Sequence, residues 1–302
     1  MFNINKQSGF IQNKLIKRVV ILIGIYSIYW FGIAYVAQNR LHGISGSNAA
    51  SGVELEFSDV KISGFPLTVY LNLPDVNTQL SRDDAIFSLQ ASQVTIGINP
   101  LNPLNIVIKS IGPSFGQLEY DDFSADYNRR ILDAEIGSFT LVAGISLGDE
   151  NISDLEIDIV DLTPSKLLTN DFQQIQLSVS ADFPNGLPKG LTQSDIEQWQ
   201  QNDGTIDDLD INMDYGPLSV AGKGSVKFDS KMTVVASSNF KVTGFMAFAD
   251  ALGESHLYTD FEVVRLKEIL MLLSDQNNAE LKVPISIEQG TVYMGHFPLS
   301  KL

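Results

Sequence analysis

No cysteine occurs in the 302 residues. Disulfides, thiolate metal sites and a cysteine nucleophile are therefore all excluded. Imidazole is scarce: His42, His256 and His296 are the three histidines. No His-x-x-x-His or His-Glu-x-x-His spacing joins them, so zinc chemistry has no ligand set to start from. Acids are absent from residues 1–53, which nevertheless carry Lys6, Lys14, Lys17, Arg18 and Arg40. All 36 acids fall in residues 54–302 against 15 bases, a net charge of −21. Phosphate binding requires concentrated Lys and Arg, so that balance excludes a nucleic-acid partner. It also disfavours flat contact with anionic headgroups outside the basic N-terminus.

Val19 to Asn39 is an uncharged, largely apolar run, VVILIGIYSIYWFGIAYVAQN. About 20 such residues cross a hydrocarbon core as a helix. The cluster Lys14, Lys17, Arg18 places the N-terminus on the cytoplasmic side. The expected organisation is a basic cytoplasmic segment 1–18, a transmembrane anchor 19–39, a Gly/Ser-rich linker 40–52 and a β-rich domain 53–302. A cleaved signal is the alternative, with Gly32-Ile33-Ala34 as its small-residue exit. The run continues beyond Ala34, however, and holds Tyr26, Tyr29, Trp30, Phe31 and Tyr35, which suit interfacial anchoring of an uncleaved span.

Beyond the linker the dominant pattern is period-two alternation. It appears at Val53–Ser58, Leu67–Leu73, Phe87–Ala91, Val94–Ile98, Ile106–Ile108 and Leu155–Ile159. It returns at Ile175–Ala181, Leu209–Tyr215, Val226–Phe228, Val234–Val242, Leu281–Ile287 and Val292–Met294. Such strands bury one face and wet the other. Turn signals separate them, among them Gly64-Phe65-Pro66, Asn99-Pro100, Gly112-Pro113 and Gly216-Pro217. Few helices intervene, so the pattern predicts antiparallel meanders. Short helices are expected after Thr163-Pro164 through Leu167 and Leu168, and after the capping box Ser194-x-x-Glu197. A stripe from Phe245 to Leu252, stopped by Gly253, and a second through Val263, Leu266, Leu270 and Leu273 predict a helix pair lying across the sheet. The expected fold is mainly β with minor α, antiparallel, open or sandwich-like, with a few covering helices.

Chemistry is sparse. Gly144-Ile145-Ser146-Leu147-Gly148 matches the nucleophile-elbow spacing, yet a strand pattern rather than a helix follows it, so Ser146 reads as a strand end or bulge. The acidic run Asp203–Asp210 lacks the spacing and the distal glutamate of a calcium loop. It reads as a hairpin turn at Asp203-Gly204 followed by a strand with solvated acids. No catalytic residue, cofactor or metal is expected.

The ordered landmarks carry a resemblance. Tyr29-Trp30-Phe31 lies in the anchor, Gly64-Phe65-Pro66 leads into Leu67–Leu73, and Asn99-Pro100 follows. Then come Trp199 before Asp203-Gly204, Gly216-Pro217, Gly222 to Asp229 (GKGSVKFD), Gly244-Phe245-Met246 and Ile287 to Gly295 (IEQGTVYMG). Over nearly its whole length the chain resembles the alphaproteobacterial single-anchor envelope proteins known as domain of unknown function 2125. The end Gly295-His296-Phe297-Pro298-Leu299 departs from the Gly-x-Ile-Pro-like ending common there. The resemblance implies an envelope location and carries no catalytic residue with it. At fold level alone the chain is also similar to AsmA-like proteins, whose curved sheets form lipid-holding grooves.

The expected function is a non-catalytic inner-membrane protein with a periplasmic sheet that holds or passes on lipid acyl chains. Leu67, Val69, Leu71, Phe245, Phe248 and Leu270 are the candidate lipid contacts. The alternatives are an acidic tethered scaffold that binds another envelope protein at a strand edge, and, remotely, a hydrolase using Ser146.

Overall fold

Every alternating segment enters one antiparallel sheet. A computed structural model describes residues 7–45, 53–82, 85–122, 128–146, 151–164, 174–188, 193–228, 234–254, 259–274, 280–288, 291–295 and 297–301. The early strands are β1 (Val53–Glu56), β2 (Lys61–Ser63), β3 (Val69–Arg82), β4 (Ala85–Asn99), β5 (Asn102–Ser110) and β6 (Ser114–Asp122). The middle of the chain supplies β7 (Asn128–Ile145), β8 (Ile152–Pro164), β9 (Ile175–Asp182), β10 (Thr205–Tyr215) and β11 (Leu218–Phe228). The last are β12 (Val234–Thr243), β13 (Leu281–Glu288), β14 (Thr291–Met294) and β15 (Phe297–Lys301). The helices are α1 (Gln7–Ile44), α2 (Gln193–Gln201), α3 (Phe245–Glu254) and α4 (Asp260–Leu273).

Neighbours in the 15-stranded sheet follow chain order, with two departures. β1 and β2 both pair with β3. β5 and β6 lie end to end between β4 and β7, so those two strands run long enough to pair with both. β1 and β15 stand at opposite ends of the order. Among the described residues these two strands do not pair with each other, so the sheet does not close into a barrel.

α1 is part of the packed fold. Its second half packs on β3, with Trp30 and Ala34 buried in one cluster with Val69, Leu71, Leu73, Val94 and Ile98. Ile33, Ala37 and Leu41 border the same cluster at a helical spacing. α1 also runs on to Ile44, so residues 40–44 of the expected linker are helical.

Other local expectations need correcting. Thr163-Pro164 does not open a helix but closes β8, paired with Glu135 and Ala134 of the long strand β7. A proline is tolerated there because a strand end need not supply every ladder donor. Leu167 and Leu168 lie outside the described residues. α2 begins one residue before Ser194, and α3 runs through Gly253 to Glu254. Asp203-Gly204 joins α2 to β10 rather than closing a hairpin. Asp203 takes a φ of 56°, and the Gly204 N–H donates to the Trp199 carbonyl at 2.9 Å. β6 and the first part of β7 escape a period-two search because glycines and charges interrupt their apolar positions.

The helix pair is as expected. Thr259 and Glu262 form a capping box at the start of α4. Hydrogen bonds from the Thr259 backbone and side chain hold the Glu262 carboxyl below its usual range. A lowered folded-state value stabilises the ionised cap above the ordinary carboxylate range and loses it as pH falls through the lowered value. The start of α4 is thus expected to fray on acidification, visible as faster amide exchange around 259–263, and Glu262→Gln should flatten that pH dependence.

Gly244 sets the turn from β12 into α3 at a φ of +70°, and a Cβ there would overlap the Pro217 carbonyl oxygen. Gly244→Ala is expected to cost about 1–3 kcal/mol, read as a lowered thermal midpoint. An unchanged midpoint would show that the turn tolerates the side chain.

Candidate functional site

Register places the apolar side chains of successive strands on one face. Leu71 pairs with Ile96, Ile96 with Ile108, Ile108 with Leu141 and Leu141 with Ile157. The row continues through Val179, Ile211, Gly222, Phe240 and Val283. Directly paired residues in antiparallel strands project to the same side, so this is one apolar row from β3 to β13. A parallel row runs from Phe139 through Ile159, Leu177, Met213, Val220 and Val242 to Leu281.

One residue along, the opposite face is polar. Asn72, Thr95, Lys109, Thr140, Asp158, Ser178 and Asn212 are paired in turn, and Ala221, Lys241 and Lys282 complete the row. On this wet side the Asp210 carboxylate accepts from Lys223 Nζ at 2.9 Å, and that hydrogen bond, with the nearby negative charge, raises the lysine above its ordinary value.

Cover over the apolar face is confined to its ends. α1 packs on β3, α3 on β11 and α4 on β13. Among the described residues no helix packs to that extent on β7, β8, β9 or β10. Leu141, Ile157, Ile159, Leu177, Val179, Ile211 and Met213 are accordingly half-buried rather than buried. The result, among the described residues, is an apolar strip across β7–β10 that lies between helix-covered, closed ends at β3 and at β11–β13.

The candidates from sequence fall at those closed ends. Val69 and Leu71, 0% and 1% exposed, lie beneath α1, whereas Leu67 is 75% exposed at the turn before β3. Phe245 is buried at the start of α3, and the Phe248 ring sits 5.5 Å from that of Tyr215. Leu270 is half-buried on α4. The structure thus divides the six between two separate ends of the sheet. Sequence reading missed the open middle, although its strands alternate clearly, because exposure there depends on where the helices land.

Among the described residues, neither chemical motif assembles a catalytic or metal-binding set. Ser146 sits where β7 meets β8, its N–H and Oγ both directed to the Asn151 carbonyl, at 2.8 and 3.3 Å. The acidic run enters β10 with a bulge between Asp207 and Asp210. No group of three acidic or histidine side chains able to hold a metal ion occurs among the described residues. His42 tilts against Phe57 at 6.0 Å, and His256 and His296 lie outside the described residues. A cavity of about 400 Å³ opens on the polar face, lined by Tyr70, Thr95, Asn99, Asn105 and Lys109 among others.

The family model described as "Uncharacterized protein conserved in bacteria (DUF2125)" matches residues 30–166 and 115–302. No curated protein matches the chain.

Proposed function

We propose, for a chain that belongs to the uncharacterised bacterial DUF2125 family, a non-catalytic role: holding a lipid acyl chain along the apolar strip of a membrane-tethered sheet. The observation that carries it is the row of half-buried apolar residues across β7–β10, bounded at both ends by helices. A continuous apolar strip that is only half-buried on an otherwise acidic protein supports a binding surface. An acyl chain is an occupant with the matching shape and no polar demand.

α1 supplies the tether. Lys17–Gly43 is long and apolar enough to span a membrane. By the positive-inside rule the basic N-terminus stays cytoplasmic, which puts the sheet in the periplasm of the bacterial inner membrane. A scaffold that captures a partner by strand addition requires a long free edge. The outer side of β3 is already taken by β1 and β2, and β15 is short, so the acyl reading is preferred. Ser146, at a hairpin end, lacks the strand-to-helix turn that exposes a nucleophile.

The test is photo-crosslinking. Full-length protein is reconstituted with a phospholipid carrying a diazirine near the end of one acyl chain, irradiated and digested. Labelled peptides from β8, β9 and β10 are the expected result. Labelling confined to α1 would overturn the reading.

A further inference from the structure

Contacts between α1 and the sheet fix how high the sheet stands along the membrane helix. Tyr26 Oη donates to the Pro66 carbonyl at 2.6 Å, and Tyr29 Oη donates to the Pro100 carbonyl at 2.9 Å. The rings of Trp30 and Phe31 pack against Phe65 at 5.4 and 6.0 Å. The turn before β3 and the turn between β4 and β5 therefore sit level with residues 26–31 of the helix.

That level is inside the bilayer. At 1.5 Å per residue, Tyr26 is about 12 Å and Tyr29 about 16 Å beyond Arg18. The hydrocarbon core is about 30 Å thick, and moving Lys17 and Arg18 into its centre costs about 2.5–3.5 kcal/mol each. With the basic pair held at the near interface, the midplane lies about 15 Å from Arg18, so the Pro66 contact falls just short of it and the Pro100 contact just past it.

The turns are built for that location. Leu67 and Leu101 are 75% and 79% exposed, and Phe65 is 49% exposed, next to exposed Ile28 and Phe31 of α1. Hydrocarbon tolerates irregular backbone only where its polar groups are satisfied within the protein. The two tyrosine hydroxyls satisfy the Pro66 and Pro100 carbonyls. The N–H groups of Leu67 and Thr68 donate to the Gly64 carbonyl, and that of Leu101 to Asn99 Oδ1 at 2.9 Å. Polar side chains begin in the second turn itself, at exposed Asn99 and Asn102, and continue along β5. Asn105 lies about 13 Å from Leu101 at 3.3 Å per residue, close to where the far headgroups begin.

We infer that the Gly64–Thr68 and Asn99–Asn102 turns are embedded among acyl chains near the bilayer midplane, so that the sheet enters the membrane edge-first instead of standing off on a linker. The inference rests on α1 spanning the membrane and is independent of whether the strip holds lipid.

The cysteine-free chain makes the test direct. Leu67→Cys, Leu101→Cys, Ile21→Cys and Lys227→Cys each provide a single labelling site on an exposed residue. Full-length variants carrying an environment-sensitive fluorophore are reconstituted in phosphatidylethanolamine–phosphatidylglycerol vesicles. Quenching by acyl-chain spin labels is then compared with quenching by aqueous iodide. Expected is a blue-shifted emission at positions 67 and 101, quenched several-fold more by the lipid label than by iodide, as at 21, with the opposite at 227. Iodide quenching at 67 and 101 alongside lipid quenching at 21 would overturn the inference and leave the anchor standing. Iodide quenching at 21 would overturn both.

Discussion

Trp30→Ala is expected to destabilise the sheet by about 3–5 kcal/mol, the cost of removing a fully buried indole from a packed core. Trp30 is 2% exposed and lies with Val69, Leu71 and Leu73 in the cluster that α1 closes. In a domain of this size that loss lowers the thermal midpoint by roughly 10 °C, measured on full-length protein in one detergent. Tyr35→Ala, on the exposed side of the same helix, should leave the midpoint nearly unchanged. If Trp30→Ala were equally silent, α1 would be a tether and nothing more. The same packing predicts that a fragment starting at residue 41 aggregates, because removing residues 30–40 uncovers Val69, Leu71 and Ile98 together. A monomeric, folded 41–302 fragment would count against the account.

Val179→Lys is expected to reduce co-purifying lipid at least about tenfold, which needs only about 1.4 kcal/mol of lost binding. Val179 is half-buried in the apolar strip, between Ile157 and Ile211. A lysine there puts a charge against hydrocarbon, yet its long stem can carry the ammonium to the rim, so the sheet should survive. Ser178→Lys supplies the comparison: one residue along, it faces the polar side between Asp158 and Asn212 and should leave lipid content unchanged. Val179→Trp removes the same space by bulk alone and guards against a charge-specific folding defect. Equal lipid in wild type, Val179→Lys and Val179→Trp would place any ligand elsewhere.

Much of this architecture was legible in the sequence because alternation is local. Leu155–Ile159 and Ile175–Ala181 announce strands whatever lies beside them, and the stripe Val263, Leu266, Leu270 and Leu273 announces α4. The long apolar helix was legible for the same reason, since length and apolarity suffice. What stayed hidden is relational. Whether Val69 or Val179 keeps its apolar side in the open depends on which strands lie under helices, and that follows from a strand order no single segment encodes. Trp30 and Ala34 read as membrane-facing because apolar residues surround that stretch of helix on every side. Only the sheet distinguishes the side that meets protein. The candidates Val69, Leu71 and Phe245 were chosen for apolarity alone, and apolarity marks covered and uncovered positions equally well.

Native mass spectrometry of the full-length protein, released from mild detergent and followed by lipid extraction, tests the central claim most directly. The account predicts phospholipid or fatty acid bound at a fixed stoichiometry, retained in Ser178→Lys and lost in Val179→Lys. A ligand-free mass for wild type, persisting after incubation with inner-membrane lipid extract, would contradict it.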